Sequence, residues 1–409
     1  MLKFHWFLPT NGGDGRHVVG GGHGVSAGAA GRPASVPYLG QIARSAEQLG
    51  FEAALTPTGA WCEDAWISTA MLSQVSERLK FLVAFRPGLI SPFLAAQMAG
   101  TFQNLSGGRL ALNVVTGGES REQRMFGDFL DKDGRYERCD EFLTVVRALW
   151  AGEPVTFEGR HLRVEDAVLS QVPDPLPEIY FGGSSPAAGR VAAKHVDVYL
   201  TWGEPPAAVG EKVEWIRSLA AEEGREGRVR FGVRLHTIAR DTSEEAWVEA
   251  DRLLAGISEE EIARVQSGLK QSESVGQARM LELNQGSKDG LEIHPNLWAG
   301  VGLVRGGAGT AMVAATPRSP TWSSSTTRSA STSSCSRATP TSRSPTGSAK
   351  GCCPSWPDAA SGNTRRRSTQ RRPRCPSAGR PAEQTTPDSH AAAAAPAVAA
   401  WGTSGTLAG

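Results

Sequence analysis

Several features are missing from this 409-residue chain, and each absence closes off a class of function. No stretch of about 18 apolar residues is present to span a membrane. The opening "MLKFHWFLPT" lacks the apolar run of a signal peptide. A cytoplasmic protein with no membrane partner is therefore expected. The chain has no Gly-x-Ser-x-Gly elbow of the hydrolase kind and no Gly-Lys-Ser/Thr phosphate loop. It also lacks any His/Cys grouping with metal-ligand spacing, so no metal is expected. Residues 1–315 contain only two cysteines, Cys62 and Cys139. That is too few for a disulfide framework and suits a reducing compartment.

The last part of the chain lacks much more. Residues 316–409 contain no Ile, Phe or Tyr, one Leu and one Val. Such a segment cannot bury enough apolar surface to offset its ordering entropy, so 315–409 reads as a disordered, low-complexity tail. The tail holds 12 of the 43 basic residues and 3 of the 42 acidic ones. A net charge of +1 thus hides a split between an acidic body and a basic tail. "SRSPTGS" and "RRRSTQRRPR" resemble Arg/Ser-rich arms that bind nucleic acid. That resemblance explains the charge but not the lost structural element described below, and no nucleic-acid partner is assigned.

What is present is a repeated alternation of short apolar runs with helical patterns. "KFHWFLPT", "EAALTP", "KFLVAF", "RLALNVVTG", "EIYFGGS", "VDVYLTWGE" and "RVRFGVRLHTIAR" read as strands, with amphipathic segments between them. This pattern predicts an α/β fold with a parallel sheet, either a (β/α) barrel one unit short of eight or a doubly wound open sheet. In a barrel the chemistry sits at the C-terminal ends of strands. That rule selects Cys62 after the second strand and Asn113 ending the fourth. "FGGSS" would form an anion-binding turn at a helix start. Arg234 and His236 share one strand face because side chains alternate. Arg305 sits in a glycine-flanked segment that reads as mobile. Cys62 could equally be a small buried hydrophobe, and Asn113 could simply satisfy backbone groups. The loop "GGDGRHVVGGGHG" reads as flexible, with His17 and His23 solvated.

The strings "FHWFLPT", "CEDAW", "RLKFLVAFRPG", "LNVVTGG", "RYER", "IYFGGSS", "VDVYLTWGEPP", "FGVRLH" and "NLWAGVGLVRGGAGTA" follow one another in one register from residue 1 to about 314. Together they resemble the alkanesulfonate monooxygenases of the bacterial-luciferase-like superfamily. The resemblance implies a TIM-type (β/α)8 barrel that uses reduced FMN and O2 to desulfonate alkanesulfonates to aldehyde and sulfite. A separate NAD(P)H-dependent FMN reductase would supply the flavin, and the barrel would be a homo-oligomer. Gly183, Ser184, Ser185 and Tyr136 would hold the phosphate, and Asn113 would face the ring edge. A sulfonate is a permanent monoanion, so Arg234, His236 and Arg305 would bind it, with Asn11 beside them. Cys62 would hydrogen-bond near the activated oxygen rather than act as a nucleophile. Another luciferase-like flavin or deazaflavin oxidoreductase, acting on an alkane, sulfone or aminocarboxylate, is the alternative, as is a non-catalytic flavin-binding remnant.

Two departures from the family stand out. Asn11 occupies a position where the family commonly has His, so any acid–base role there is absent. The family also continues past "GGAGTA" into a helix, an eighth strand and a final helix with a "GYPH" segment, none of which appears here. Joining the last base of each codon to the first two of the next allows the tail to read "GIDEFVLSGYPHLEE", with Thr339 and Thr341 where Tyr and His would stand. The expectation is a one-base frameshift near residues 313–317, leaving an incomplete barrel over 1–314 with two unpaired strand edges.

Overall fold

Each apolar run marked as a strand forms one. The computed structural model describes residues 2–12, 18, 32–316, 333–335 and 400–403. Its first half runs β1 (Lys3–Phe7), α1 (Val36–Gln48), β2 (Ala53–Thr56), α2 (Ala65–Leu72), β3 (Lys80–Phe85), α3 (Pro92–Ser106), β4 (Leu110–Val114), α4 (Ser120–Met125) and α5 (Lys132–Trp150). A small hairpin, β5 (Val155–Glu158) with β6 (Arg163–Ala167), precedes β7 (Glu178–Phe181), α6 (Pro186–His195), β8 (Val198–Trp202), α7 (Pro206–Glu222) and β9 (Arg230–Arg240). Three helices follow, α8 (Ser243–Ala255), α9 (Glu259–Leu269) and α10 (Val275–Asn284). The short strands β10 (Glu292–His294), β11 (Leu297–Trp298) and β12 (Ala311–Ala315) come next, and β13 (Ser333–Cys335) and β14 (Ala400–Thr403) come last. The helix starts are legible in the sequence. Ser35, Asp64, Ser91, Asp131 and Ser185 each accept a bond from the backbone N–H three residues on.

Parallel pairing links β1, β2, β3, β4, β7, β8 and β9 in that order, with helices between successive strands packed outside. This is the expected α/β barrel. Strand alternation sorts each strand into an inner and an outer face. Trp6 packs outward on Phe51, with ring centroids 5.0 Å apart, while His5 and Phe7 point inward. The floor of the barrel is charged: Lys3 and Lys80 meet Glu52 at 2.8 and 3.4 Å, and Arg230 meets Glu178 at 2.5 Å. Above it His5 packs against Tyr180 at 5.6 Å between ring centroids. Leu55, Leu82 and Ala111 stand side by side in register on the apolar middle layer. The upper end is left for polar groups.

Between β1 and β9 the structure differs from the sequence-based expectation of two open edges. β13 pairs parallel with β9, placing Ser333 opposite Gly232. β14 pairs antiparallel with both β1 and β9, so that Gly402 stands opposite Phe4 and Val233. Unpaired edge N–H and C=O groups accept any extended backbone, whichever way it runs. The rest of the tail, including Thr339 and Thr341, lies outside the described residues, as do His17 and His23. No helix among the described residues is long and apolar enough to cross a membrane.

Burial sets the charge state of His5. Desolvation lowers its pKa from 6.5 to about 4, against the pull of Glu52. As pH falls from about 6.5 to 4, the unfolded chain takes up a proton that the folded chain refuses. Stability is therefore lost on acidification through this window, by at most about 3 kcal/mol at its lower end. His195 adds a loss of the same sign, and Glu119, whose carboxyl burial pushes up, opposes it. The share of His5 is the difference between wild type and His5→Gln. Urea denaturation at pH 7, 5.5 and 4.5 is expected to show a flatter decline in the variant.

Candidate active site

A cleft opens over the C-terminal ends of the barrel strands, and two strand-end clusters line it. The first is cationic. Residues 234 and 236 lie two apart on β9, so Arg234 and His236 face the same way and both line the cleft, as the sequence predicts. The Arg234 guanidinium carbon sits 5.3 Å from the centroid of the Phe7 ring, a cation–π contact that supports the charge where water is scarce. The His236 Nε2 donates to the Ala308 carbonyl at 3.0 Å, since a carbonyl can only accept.

Arg305 joins them from the turn that follows Gly300–Leu303. Burial lowers the pKa of both arginines to about 10, and the nearness of Arg305 adds to the effect on Arg234. Both therefore stay charged at neutral pH. Two desolvated guanidinium groups together are costly, and an anion between them relieves that cost.

The glycines around Arg305 are fastened rather than free, which corrects the expectation of a mobile segment. Gly307 N–H donates to Gln277 Oε1 at 2.9 Å, and Thr310 Oγ1 donates to the Gly203 carbonyl at 2.6 Å. Gly302 N–H donates to the Gly309 carbonyl at 2.8 Å. A Cβ on Gly309 would stand 2.8 Å from the Gly302 Cα, so glycine here allows two backbones to touch. β12 then pairs with the second half of β9, Ala311 opposite His236.

The second cluster is built on the turn between β7 and α6. Ser185 caps α6, its Oγ accepting from Ala188 N–H at 3.2 Å, and Pro186 follows at the first helical position. A Cβ on Gly183 would lie 2.6 Å from Ala188 Cβ and 3.2 Å from Tyr136 Oη, so only glycine lets α5 and α6 converge there. Gly183, Ser184, Ser185 and Tyr136 all line the cleft. The Tyr199 hydroxyl donates to the Gly183 carbonyl and fixes the turn from below. Free N–H groups at a helix start, two hydroxyls and a phenol make a cradle for a phosphate-like anion. Asn113, in register between Ala84 and Tyr180, also lines the cleft.

Cys62 and Asn11 are not among the residues that line the cleft. The Cys62 thiol points back to the Pro57 and Gly59 carbonyls at 3.7 and 3.5 Å, and burial pushes its pKa up to about 12. Its loop is pinned by Glu122, which accepts from Ala60 N–H at 2.8 Å and pairs with buried Arg86 at 2.5 Å. The structure also supplies walls that the motifs did not mark. The segment from Ser272 to Gln277, before and into α10, borders the cleft. It is tied to the β4 loop by Glu273 N–H and Ser272 Oγ, donating to the Gly118 carbonyl at 2.9 and 3.1 Å. Trp202, Lys132 and Lys212 complete the lining. Trp202 ends β8 and so follows the same seven-strand pattern, whereas Lys212 comes from α7. The 272–277 wall comes from a helical insertion with no strand signal.

A luciferase-like monooxygenase family model matches residues 2–319 of the chain. The protein belongs to this family. Solved structures with the same fold include a riboflavin lyase determined with modified FMN and riboflavin, at 20% identity and a TM-score of 0.60, covering 68% of this chain and 76% of that one. DmoA from Hyphomicrobium sulfonivorans aligns at 19% identity and a TM-score of 0.60, covering 76% of this chain and 78% of that one. A long-chain alkane monooxygenase aligns at 20% identity and a TM-score of 0.57, covering 68% and 76%.

A thiol with a pKa near 12 has a thiolate fraction of roughly one in ten thousand at pH 8. Iodoacetamide labelling of Cys62, followed by peptide mass spectrometry, is expected to be about 100-fold slower in the folded protein than in urea. A fast reaction with an inflection near neutral pH would show an activated thiolate instead.

Proposed function

We propose that this luciferase-like monooxygenase uses reduced FMN and O2 to desulfonate alkanesulfonates. The observation that carries the proposal is the pair of half-buried, like-charged guanidinium groups of Arg234 and Arg305, which line the same cleft as a phosphate-type cradle. The site thus suits two anions, one at each end. The residues fit FMN: Ser184, Ser185 and Tyr136 hold the phosphate and Asn113 meets the ring edge. The riboflavin lyase structure, which contains modified FMN, supports the choice of cofactor.

When bound, reduced FMN supplies the two electrons that divide O2. One oxygen atom ends in the aldehyde and the other in water, the C–S bond breaks, and sulfite leaves. Around that chemistry the protein binds and shields. Arg234 and Arg305 offer forked hydrogen bonds to sulfonate oxygens and fix the reacting carbon. His236 keeps its Nε2 proton on Ala308, which leaves Nδ1 as the nitrogen that can exchange a proton. Phe7 and Trp202 exclude water from the deep side. The Cys62 thiol stays neutral and holds the β2 loop through its two carbonyl contacts. The flavin is expected to arrive from a separate NAD(P)H-dependent FMN reductase.

The unusual tail belongs to the same proposal. The chain matches the family through its Arg305 segment and then changes frame, so the eighth strand and its Tyr are encoded but not translated. The DNA sequence around codon 315 tests this; an alternative frame interrupted by stop codons overturns it.

Sulfite release from C2–C10 alkanesulfonates, with FMN reduced in situ, tests the activity itself. Arg234→Ala and Arg305→Ala are each expected to lower kcat/KM about 100-fold, the usual loss for a charged hydrogen bond in a dry site. Flavin-dependent O2 consumption without sulfite from any of these substrates would overturn the sulfonate assignment.

A further inference from the structure

Beside the phosphate cradle lies a cluster of buried charges that the site described above leaves without a role. Glu204 follows β8, and its side chain is 4% exposed. Lys212, in the second turn of α7 and 5% exposed, donates to Glu204 Oε1 and also lines the cleft. Arg279 on α10 reaches the other oxygen, Oε2, at 3.6 Å. The cluster adjoins the cradle. The Tyr199 hydroxyl bonds the Gly183 carbonyl, and its pKa is pushed up by burial first and then by the charge of Glu204 and the nearness of Tyr136. A carboxylate alone at this place would repel a phosphate. Two cations on one carboxylate reverse the sign and leave one net positive charge.

Burying an ammonium and a carboxylate costs more than packing apolar side chains of the same volume. An ammonium held in a cleft wall with two further N–H groups is, however, suited to an anion that arrives there. Desolvation lowers the pKa of Lys212 and Glu204 raises it again, so the carboxylate favours the charged form of the lysine.

We propose that Lys212, clamped with Arg279 onto Glu204, is the counter-charge for the phosphate of the cofactor and gives the site its preference for FMN over riboflavin. The proposal rests on the flavin reading above and adds a residue to it. Lys212 acts directly on the phosphate. Glu204 is a positioning residue that holds the ammonium in the wall and tempers its charge. Because Arg279 and Gln277 stand on the same helix, and Gln277 holds Gly307 beside Arg305, the cluster also ties the phosphate end to the segment that carries Arg305.

Flavin binding, followed by quenching of tryptophan fluorescence, tests this without turnover. Wild type is expected to bind FMN at least tenfold more tightly than riboflavin, with only the FMN affinity falling as NaCl rises from 20 to 300 mM. Lys212→Gln, which keeps a hydrogen bond to Glu204, is expected to weaken FMN about tenfold and leave riboflavin within twofold. Glu204→Gln, which removes the charge that positions the ammonium and keeps it protonated, is expected to weaken FMN about threefold and leave riboflavin within twofold. Arg279→Gln changes a half-exposed side chain and so spares the fold; it is expected to weaken FMN about threefold. If FMN and riboflavin weaken together in Lys212→Gln and Arg279→Gln, the cluster is structural and the proposal is overturned. Unchanged FMN affinity in these two variants overturns it as well, while leaving the flavin reading intact. Wild type that binds neither flavin sinks the flavin reading itself and the Lys212 assignment with it.

Discussion

The structure depends on placing two guanidinium groups and an imidazole where water cannot easily reach them. Arg234 faces the cleft from a barrel strand, above an apolar layer, where a charge is costly to place. The fold meets that cost by several routes at once. Phe7, from the neighbouring side of the barrel, lies under the Arg234 guanidinium. His236 is anchored to Ala308, and Thr310 to Gly203, which draws the Arg305 segment onto β9. Under the proposed function, the like charges of Arg234 and Arg305 favour an anionic substrate.

The turn between β7 and α6 solves a related problem with different chemistry. There the charge is supplied by the start of α6 and by a lysine and an arginine shared through one glutamate. The two ends differ in adaptability. The arginines present fixed forks suited to a tetrahedral monoanion. A turn of glycines, hydroxyls and an ammonium tolerates a dianion entering from solvent. Asn113, able to donate and accept, lines the same cleft. A single cleft can thus orient a molecule with one anionic end against another molecule of the same kind.

The barrel scaffold shows how backbone demands and side-chain identity separate. β1 and β9 require a partner between them for their backbone groups, and 333–335 and 400–403 provide one in opposite directions. Hydrogen bonding along an edge needs only extended backbone. A functional eighth strand would also need side chains aimed into the cleft, and the composition of the tail does not contain them: it has no Tyr, Phe or Ile.

Local sequence determined the strands, the helix starts and the direction of Arg234 and His236, because alternation and capping act over two to four residues. It also offered Gly183, Ser184 and Ser185 as an anion-binding turn, a weak signal by itself because small residues also serve tight turns. Tertiary structure alone decided which of these groups meet. Cys62 turns its thiol toward its own loop, which Glu122 on α4, paired with Arg86, holds at Ala60. The glycines near Arg305 proved to serve close backbone approach between residues 302 and 309, not freedom of movement. Lys212 and Arg279 come from helices 67 residues apart and converge on Glu204. No pattern in the chain announces that meeting, because the force that brings the two cations together is the burial of a single carboxylate, and burial is a property of the folded whole.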